Sequence, residues 1–317
     1  MASSKHLHMA VIFKAASLNY GQGVGNILAL KRLTTDGKNY SYISRQALRY
    51  DIVRMLNEIY VYPLTEVDKQ GGVIQFVKSA KIDKFPEIDF FGYMKTKEKK
   101  KKKNEAENVE SEAEDKTSKI RKAVVRLTDA ISLEEYRNES DFGTNKGLAD
   151  RKKLDNDIFQ AEIHRSFYCY SVTFNLDDIG SDDNYKISLK NEEKKERVCN
   201  LLNVIKLLYR DIRGKRENLA PVFVIGGLYD VGNPFFYNRI KLSFLRDKVE
   251  IDANVINSVL KISTINENTV EKQTMLGTIE DVLSNVASLD VGKKFDIEGF
   301  FIELKKSVAG YYNGSSG

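Results

Sequence analysis

Cysteine is scarce in this chain: only Cys169 and Cys199 occur, and neither has a CxxC partner. That spacing excludes a disulfide framework and a cysteine zinc site, and it fits a reducing cytoplasm. Cys169 falls in an expected strand and Cys199 in an expected helix, both as packing residues. Histidine is limited to His6, His8 and His164. No HExxH, GxSxG or paired Cys/His arrangement is present, so the usual hydrolase and metalloenzyme signatures are missing. His6 and His8 alternate near the start, but two ligands are too few for a metal centre, and the histidines read as surface residues. Neither GxGxxG nor GxxxxGK[ST] occurs, which argues against a nucleotide cofactor. Long apolar runs are also missing. Lys14 interrupts Met1 to Leu18, so neither a signal peptide nor a membrane span is expected. The terminal Gly314-Ser315-Ser316-Gly317 reads as a linker or tag remnant.

What is present is an ordinary globular composition. The 317 residues are 42% hydrophobic and 30% charged, with a formal net charge of +5. Such a chain holds one large elaborated domain or two ordinary ones, and it can bury a core without staples. A pI near 8.8 is mildly basic and compatible with nucleic acid.

The richest stretch is Asn19-Tyr20-Gly21-Gln22-Gly23-Val24-Gly25-Asn26, after an apolar run from Ala10 to Leu18 that reads as a strand. A basic segment with Lys31, Arg32 and Lys38 follows, then a helix expected over 44–57. Glycines let a backbone approach a ligand closely, and a helix start offers unpaired N–H groups and partial positive charge. Leu48, Ile52, Met55 and Leu56 recur at helical spacing as a buried stripe. Arg45 and Arg49 fall on or beside that stripe. Either they overhang the core edge and meet an external anion, or they pair internally with Asp51 or a distant glutamate; spacing leaves both open. Tyr40, Tyr42 and Tyr50 interleave with the cations, a mixture suited to phosphates and stacked bases.

Further on, composition changes abruptly. From Lys95 to Lys119 there is no aromatic residue, and a lysine run (99–103) precedes an acidic one (105–115). This segment is expected to be a mobile charged loop. Ala123 to Ile131 reads as a strand. From His164 to Leu176, Tyr168, Tyr170, Val172, Phe174 and Leu176 alternate onto one face of a second strand. The polar residues 136–163 between them suggest a long hairpin or arm. A helix is expected from about 192 to 213 with Gly214 as its cap, then strands over 221–227 and 239–245. The fold class expected is α+β: a split βαβ, ferredoxin-like antiparallel sheet of the RNA-recognition type with large insertions. Asp129 and Asp141 lie near the arm, but no clustered carboxylate motif supports cleavage.

Several stretches carry a resemblance. Asn19-Tyr20-Gly21, Tyr42-Ile43-Ser44-Arg45-Gln46-Ala47-Leu48-Arg49-Tyr50, Asp141 through Ala149, Glu162 through Tyr168, and Val224-Ile225-Gly226-Gly227 with Asn233-Pro234-Phe235-Phe236 resemble the backbone subunit of type I-B CRISPR Cascade, the DevR-type autoregulator family. The similarity runs from about residue 7 to 245. It implies a single palm domain over 1–317, a fingers insertion at 58–122 holding the charged loop, and a thumb hairpin at 136–163. It also implies several copies side by side on one CRISPR RNA, which is presented to target DNA alongside other Cascade subunits. Cleavage would fall to a recruited helicase-nuclease, so the chain is expected to need no cofactor, membrane or catalytic residue. The residues expected to hold RNA are Asn19, Tyr20, Gly21, Lys31, Ser44, Arg45, Gln46, Arg49, Asn145, Lys146, His164, Arg165, Gly226 and Gly227. The alternatives are a DNA-binding transcriptional autoregulator and a metal-dependent ribonuclease. The first would need a recognition helix, and no helix-turn-helix pattern is visible. The role of residues 250–313 stays open.

Overall fold

The computed structural model describes residues 5–314, apart from 17, 22, 24, 71–72, 96–117 and 266. Six elements frame the site: strand β1 (His6–Ala16), helix α1 (Arg45–Tyr60), strand β2 (Ala130–Ser132), strand β3 (Arg165–Asn175), helix α2 (Asn191–Lys206) and strand β4 (Phe223–Tyr229). In the sheet their order is β4-β1-β3-β2, every neighbouring pair antiparallel. The sheet continues beyond β2 through Lys38–Ile43 and Arg32–Thr35, and beyond β4 through Thr274–Thr278 and Lys293–Asp296.

β1 is central and buried on both faces. Leu7, Met9, Val11 and Phe13 pack into one core, while Ala10 and Ile12 pack into a second. This is why Met9 to Phe13 is continuously apolar rather than alternating. The first core receives Leu48, Ile52, Met55 and Leu56 of α1, and Val198, Leu201, Leu202 and Ile205 of α2. It also receives Phe300, Phe301, Leu304 and Val308 of a third helix, α3 (Ile297–Gly314). Each such fully buried side chain contributes roughly 1.5–3 kcal/mol. Tyr168, Tyr170, Val172, Phe174 and Leu176 all enter this core, as their alternation requires.

Five sequence expectations are corrected. α2 ends at Lys206, because Tyr209–Ile212 leaves the helix to pair with Lys215–Asn218. Arg213 and Gly214, with φ of 49° and 74°, make the turn between those strands, so Gly214 is no helix cap. The single strand expected over 123–131 is two, Val125–Leu127 and β2, both paired with β3. Their registers differ by one residue (Leu127 faces Val172 and Ile131 faces Cys169), so Thr128 and Asp129 hold a bulge. The strand expected over 239–245 is shorter, Leu242–Leu245. Finally, His8 and His164 are buried, not surface residues; His8 lies inside β1, stacked on Phe236.

Within 58–122, Asp89 ties the helix Pro86–Phe91 to α2 through Arg197 (2.9 Å) and to Arg121 (2.7 Å). Of the expected charged loop, Lys95 and Lys119 are paired strand residues, and 96–117 lie outside the described residues. The suggested terminal remnant also falls outside them from residue 315 onward.

Candidate nucleic-acid interface

The glycine-rich loop after β1 closes on itself and then onto the hairpin formed by Glu139–Thr144 and Ile158–Ile163. Lys31 N–H donates to the Asn19 carbonyl and Gly21 N–H to the Ala29 carbonyl, both at 2.8 Å. Ile27–Leu28 then pairs, parallel, with Gln160–Ala161. The Tyr20 hydroxyl donates to the Glu162 carbonyl at 3.2 Å. At Gly23 a Cβ would lie 2.6 Å from the Ile27 carbonyl, so this turn admits no side chain. The loop and the hairpin, separated by more than a hundred residues in sequence, thus form one three-stranded sheet.

Helix α1 starts beside this loop. Ser44 is its N-cap: the hydroxyl accepts from Ala47 N–H at 3.4 Å and from the Asn19 amide at 3.2 Å. The Arg45 N–H donates to Asp129 Oδ1 at 2.7 Å, which explains the bulge that brings Asp129 here. The helix start is therefore already occupied by a carboxylate. Arg45 and Gln46 are exposed, and Arg45 has no ion pair among the described residues. One turn on, Arg49 takes the internal route. It pairs with Glu87 at 2.9 Å and lies over the Phe91 ring. The distant glutamate left open by spacing is Glu87.

The remaining expected residues divide into two sets. Lys31 is half-buried next to Tyr20, and Arg165 is exposed opposite Ala16 at the end of β1. Lys146 is exposed at the far end of the hairpin, where Asn145 exchanges hydrogen bonds with Asp157. His164, by contrast, is buried: the Ser41 hydroxyl sits 2.7 Å from its Nδ1, and Tyr136 lies edge-on to its ring. Burial holds its pKa below the usual value. Gly226 and Gly227 lie inside β4, where a Cβ would collide with the His8 carbonyl and the Gln273 carbonyl respectively. Their smallness serves sheet packing, while the buried His164 ring lies at the wall of a cleft.

A cleft of about 1320 Å³ opens beside Arg165, lined by Asp129, Glu134 and Glu139 as well as Lys38 and Arg137. Its mixed charge makes it a poor anion cradle. Among the described residues, no three His, Cys, Asp or Glu side chains gather as metal ligands. Sequence reasoning missed Glu162, whose carboxylate accepts from Leu30 N–H at 2.7 Å and pairs with Arg32 at 3.4 Å. It also missed the hairpin Tyr209–Asn218, although Arg213-Gly214 between short polar strands is a two-residue turn signal.

Two solved structures share the fold. A CRISPR RNA-guided surveillance complex in a pre-nicking state matches with a TM-score of 0.58 over 94% of this chain and 100% of that one, at 10% identity. A second CRISPR RNA-guided surveillance complex matches at 0.58 over 98% and 99%, again at 10% identity. At that identity the likeness is one of fold. In sequence, the CRISPR-associated protein Cas7/Cst2/DevR of Myxococcus xanthus (strain DK1622) is 26% identical over 168 residues, 50% of this chain. The chain spans about half the length of that curated relative, 52%. Among the described residues no helix is long and apolar enough to cross a membrane. The model of the family described as CRISPR-associated negative auto-regulator DevR/Csa2 matches residues 7–250, and the chain belongs to that family.

Proposed function

We propose that this chain is the RNA-binding backbone subunit of a type I-B Cascade surveillance complex. Copies line up along one CRISPR RNA in the cytoplasm and hold it for pairing with target DNA. Other Cascade subunits and a recruited helicase-nuclease complete the assembly, and this chain carries no catalytic step. The order β4-β1-β3-β2, with α1 and α2 as crossovers, supports a ferredoxin-like, RNA-recognition-like palm. The hairpin Glu139–Ile163 is its thumb in this reading, and the elements within 58–122 are its fingers. The surveillance-complex names of the structural neighbours and the CRISPR-associated name of the Myxococcus relative point the same way.

The observation that carries the reading is Arg45. An exposed guanidinium with no ion pair among the described residues stands at the start of α1, beside a glycine-rich loop stitched to a protruding hairpin. Gripping any guide sequence requires cations and backbone donors along the phosphates, not base-specific contacts. In this reading Gln46, Arg165 and Lys146, all exposed, and the half-buried Lys31 are further contacts to RNA, with Tyr20 offering a ring.

The test is the nucleic acid that co-purifies from cells carrying a CRISPR array. Wild type is expected to bring down RNA of defined length, and Arg45→Ala to lose it without unfolding. Magnesium-dependent trimming of that RNA would instead mark a ribonuclease. Nucleic-acid-free protein that shifts its own promoter DNA would mark a regulator.

A further inference from the structure

We infer that Arg213, at the turn of the Tyr209–Asn218 hairpin, is a further phosphate-binding residue for single-stranded RNA and forms a third wall of the interface. The inference rests on the RNA-binding reading above. Its guanidinium lies 5.3 Å from the centre of the Tyr20 ring and 5.9 Å from that of Phe159. Tyr20 belongs to the glycine-rich loop and Phe159 to the long hairpin, so one cation bridges both. A guanidinium stacked on rings keeps its N–H edge free, the geometry that suits a phosphate oxygen.

The hairpin behind it is firmly anchored. Arg210 donates to Asp51 at 2.6 Å and to the Leu18 carbonyl at 2.9 Å. Glu217 accepts from Ala16 N–H at 3.3 Å. These bonds fix the turn to both ends of the junction between β1 and the glycine-rich loop. A preorganised arginine loses little freedom on binding.

Charge accounting leaves Arg213 uncompensated. Asp211 is taken by Arg216 through two bonds at 2.7 and 2.9 Å. Glu162 is paired with Arg32, and Glu217, which accepts from Ala16 N–H, forms no ion pair with Arg213. Arg213 itself is exposed and has no ion pair among the described residues. It also sits at a φ of 49°, a conformation that asparagine or glycine would adopt at lower cost. An arginine there is better explained by what its side chain reaches than by the turn.

The experiment is a salt titration of the full chain binding a labelled single-stranded RNA, comparing wild type, Arg45→Ala, Arg213→Ala and Arg213→Lys. Loss of one phosphate contact lowers the slope of log affinity against log salt by about 0.7 per protomer. Arg213→Ala is expected to show that drop with weaker binding at every salt concentration, and Arg213→Lys to keep the slope. An arginine that only props the hairpin would raise hydrogen exchange over 158–163 in Arg213→Ala while leaving the slope unchanged, and that result would overturn the inference. If wild type binds no RNA, the reading beneath it fails as well. If Arg45→Ala weakens binding and Arg213→Ala does not, the inference alone fails.

Discussion

Arg45 and Arg49 stand one helical turn apart and have different partners, which separates their expected phenotypes. Arg45→Ala should remove RNA and leave stability unchanged. Arg49→Ala breaks a partly exposed pair with Glu87 and a contact over Phe91. It should cost about 1 kcal/mol in chemical denaturation and leave RNA retention intact. RNA loss at unchanged stability would mean that Arg49 leaves Glu87 for the ligand. The sequence placed both arginines at the edge of an apolar stripe. It could not separate them, because Glu87 is 38 positions away. His8 gives a pH test. Burial pushes its imidazole down to about 4, and its Nε2 lacks a partner among the described residues. The unfolded chain therefore takes up a proton near pH 6.5 that the folded chain refuses until about 4. Stability should fall as pH drops through that window, by up to about 3 kcal/mol from this group. Urea midpoints at pH 7 and pH 5 check this: His8→Phe should flatten the dependence, and an unchanged slope would refute it.

Among the elements, α1 ends on a strained residue. Val61 has φ 57°, is 80% exposed, and donates to Asn57 while Tyr62 donates to Leu56. A β-branched side chain in the left-handed region is unfavourable, so Val61→Gly should stabilise by about 1 kcal/mol despite the added chain entropy. A thermal or urea midpoint that fell would contradict this. Asp89 is the opposite case. It is fully buried between Arg121 and Arg197 and also accepts from Gly180 N–H. Asp89→Ala strips Arg121 of its carboxylate and leaves Arg197 only the half-exposed Glu193, and should destabilise by roughly 3–5 kcal/mol, read from the urea midpoint. Elements with one periodic apolar face were legible: the alternation from Tyr168 to Leu176 marked β3, and the stripe from Leu48 to Leu56 marked α1. Where tertiary pairing overrides local pattern, sequence misled. Leu208 and Ile212 keep helical spacing beyond Lys206, yet Tyr209–Ile212 is claimed by Lys215–Asn218. The shift across Thr128 and Asp129 is invisible without the partner strand.

For the whole molecule, the segment after residue 250 was the least legible. Thr274–Thr278 and Lys293–Asp296 are short and pair parallel to each other, and only the pairing of Thr274–Thr278 with β4 and the packing of α3 give them a place. The interface was legible as a loop followed by a helix start. That the loop joins the hairpin was not, because parallel pairing of Ile27–Leu28 with Gln160–Ala161 leaves no local trace. The hairpin also exposes Phe142, Leu148, Leu154 and Ile158, large apolar side chains that no described residue covers. In an assembly on RNA this surface should become covered, and the hairpin's amides should exchange more slowly than in the free chain. The most direct test of the account is a ribonuclease footprint of the protein on a long guide RNA. A backbone subunit predicts protection that repeats at a fixed nucleotide interval along the RNA and vanishes with Arg45→Ala. Protection without a repeat, or a repeat that survives Arg45→Ala, would contradict it.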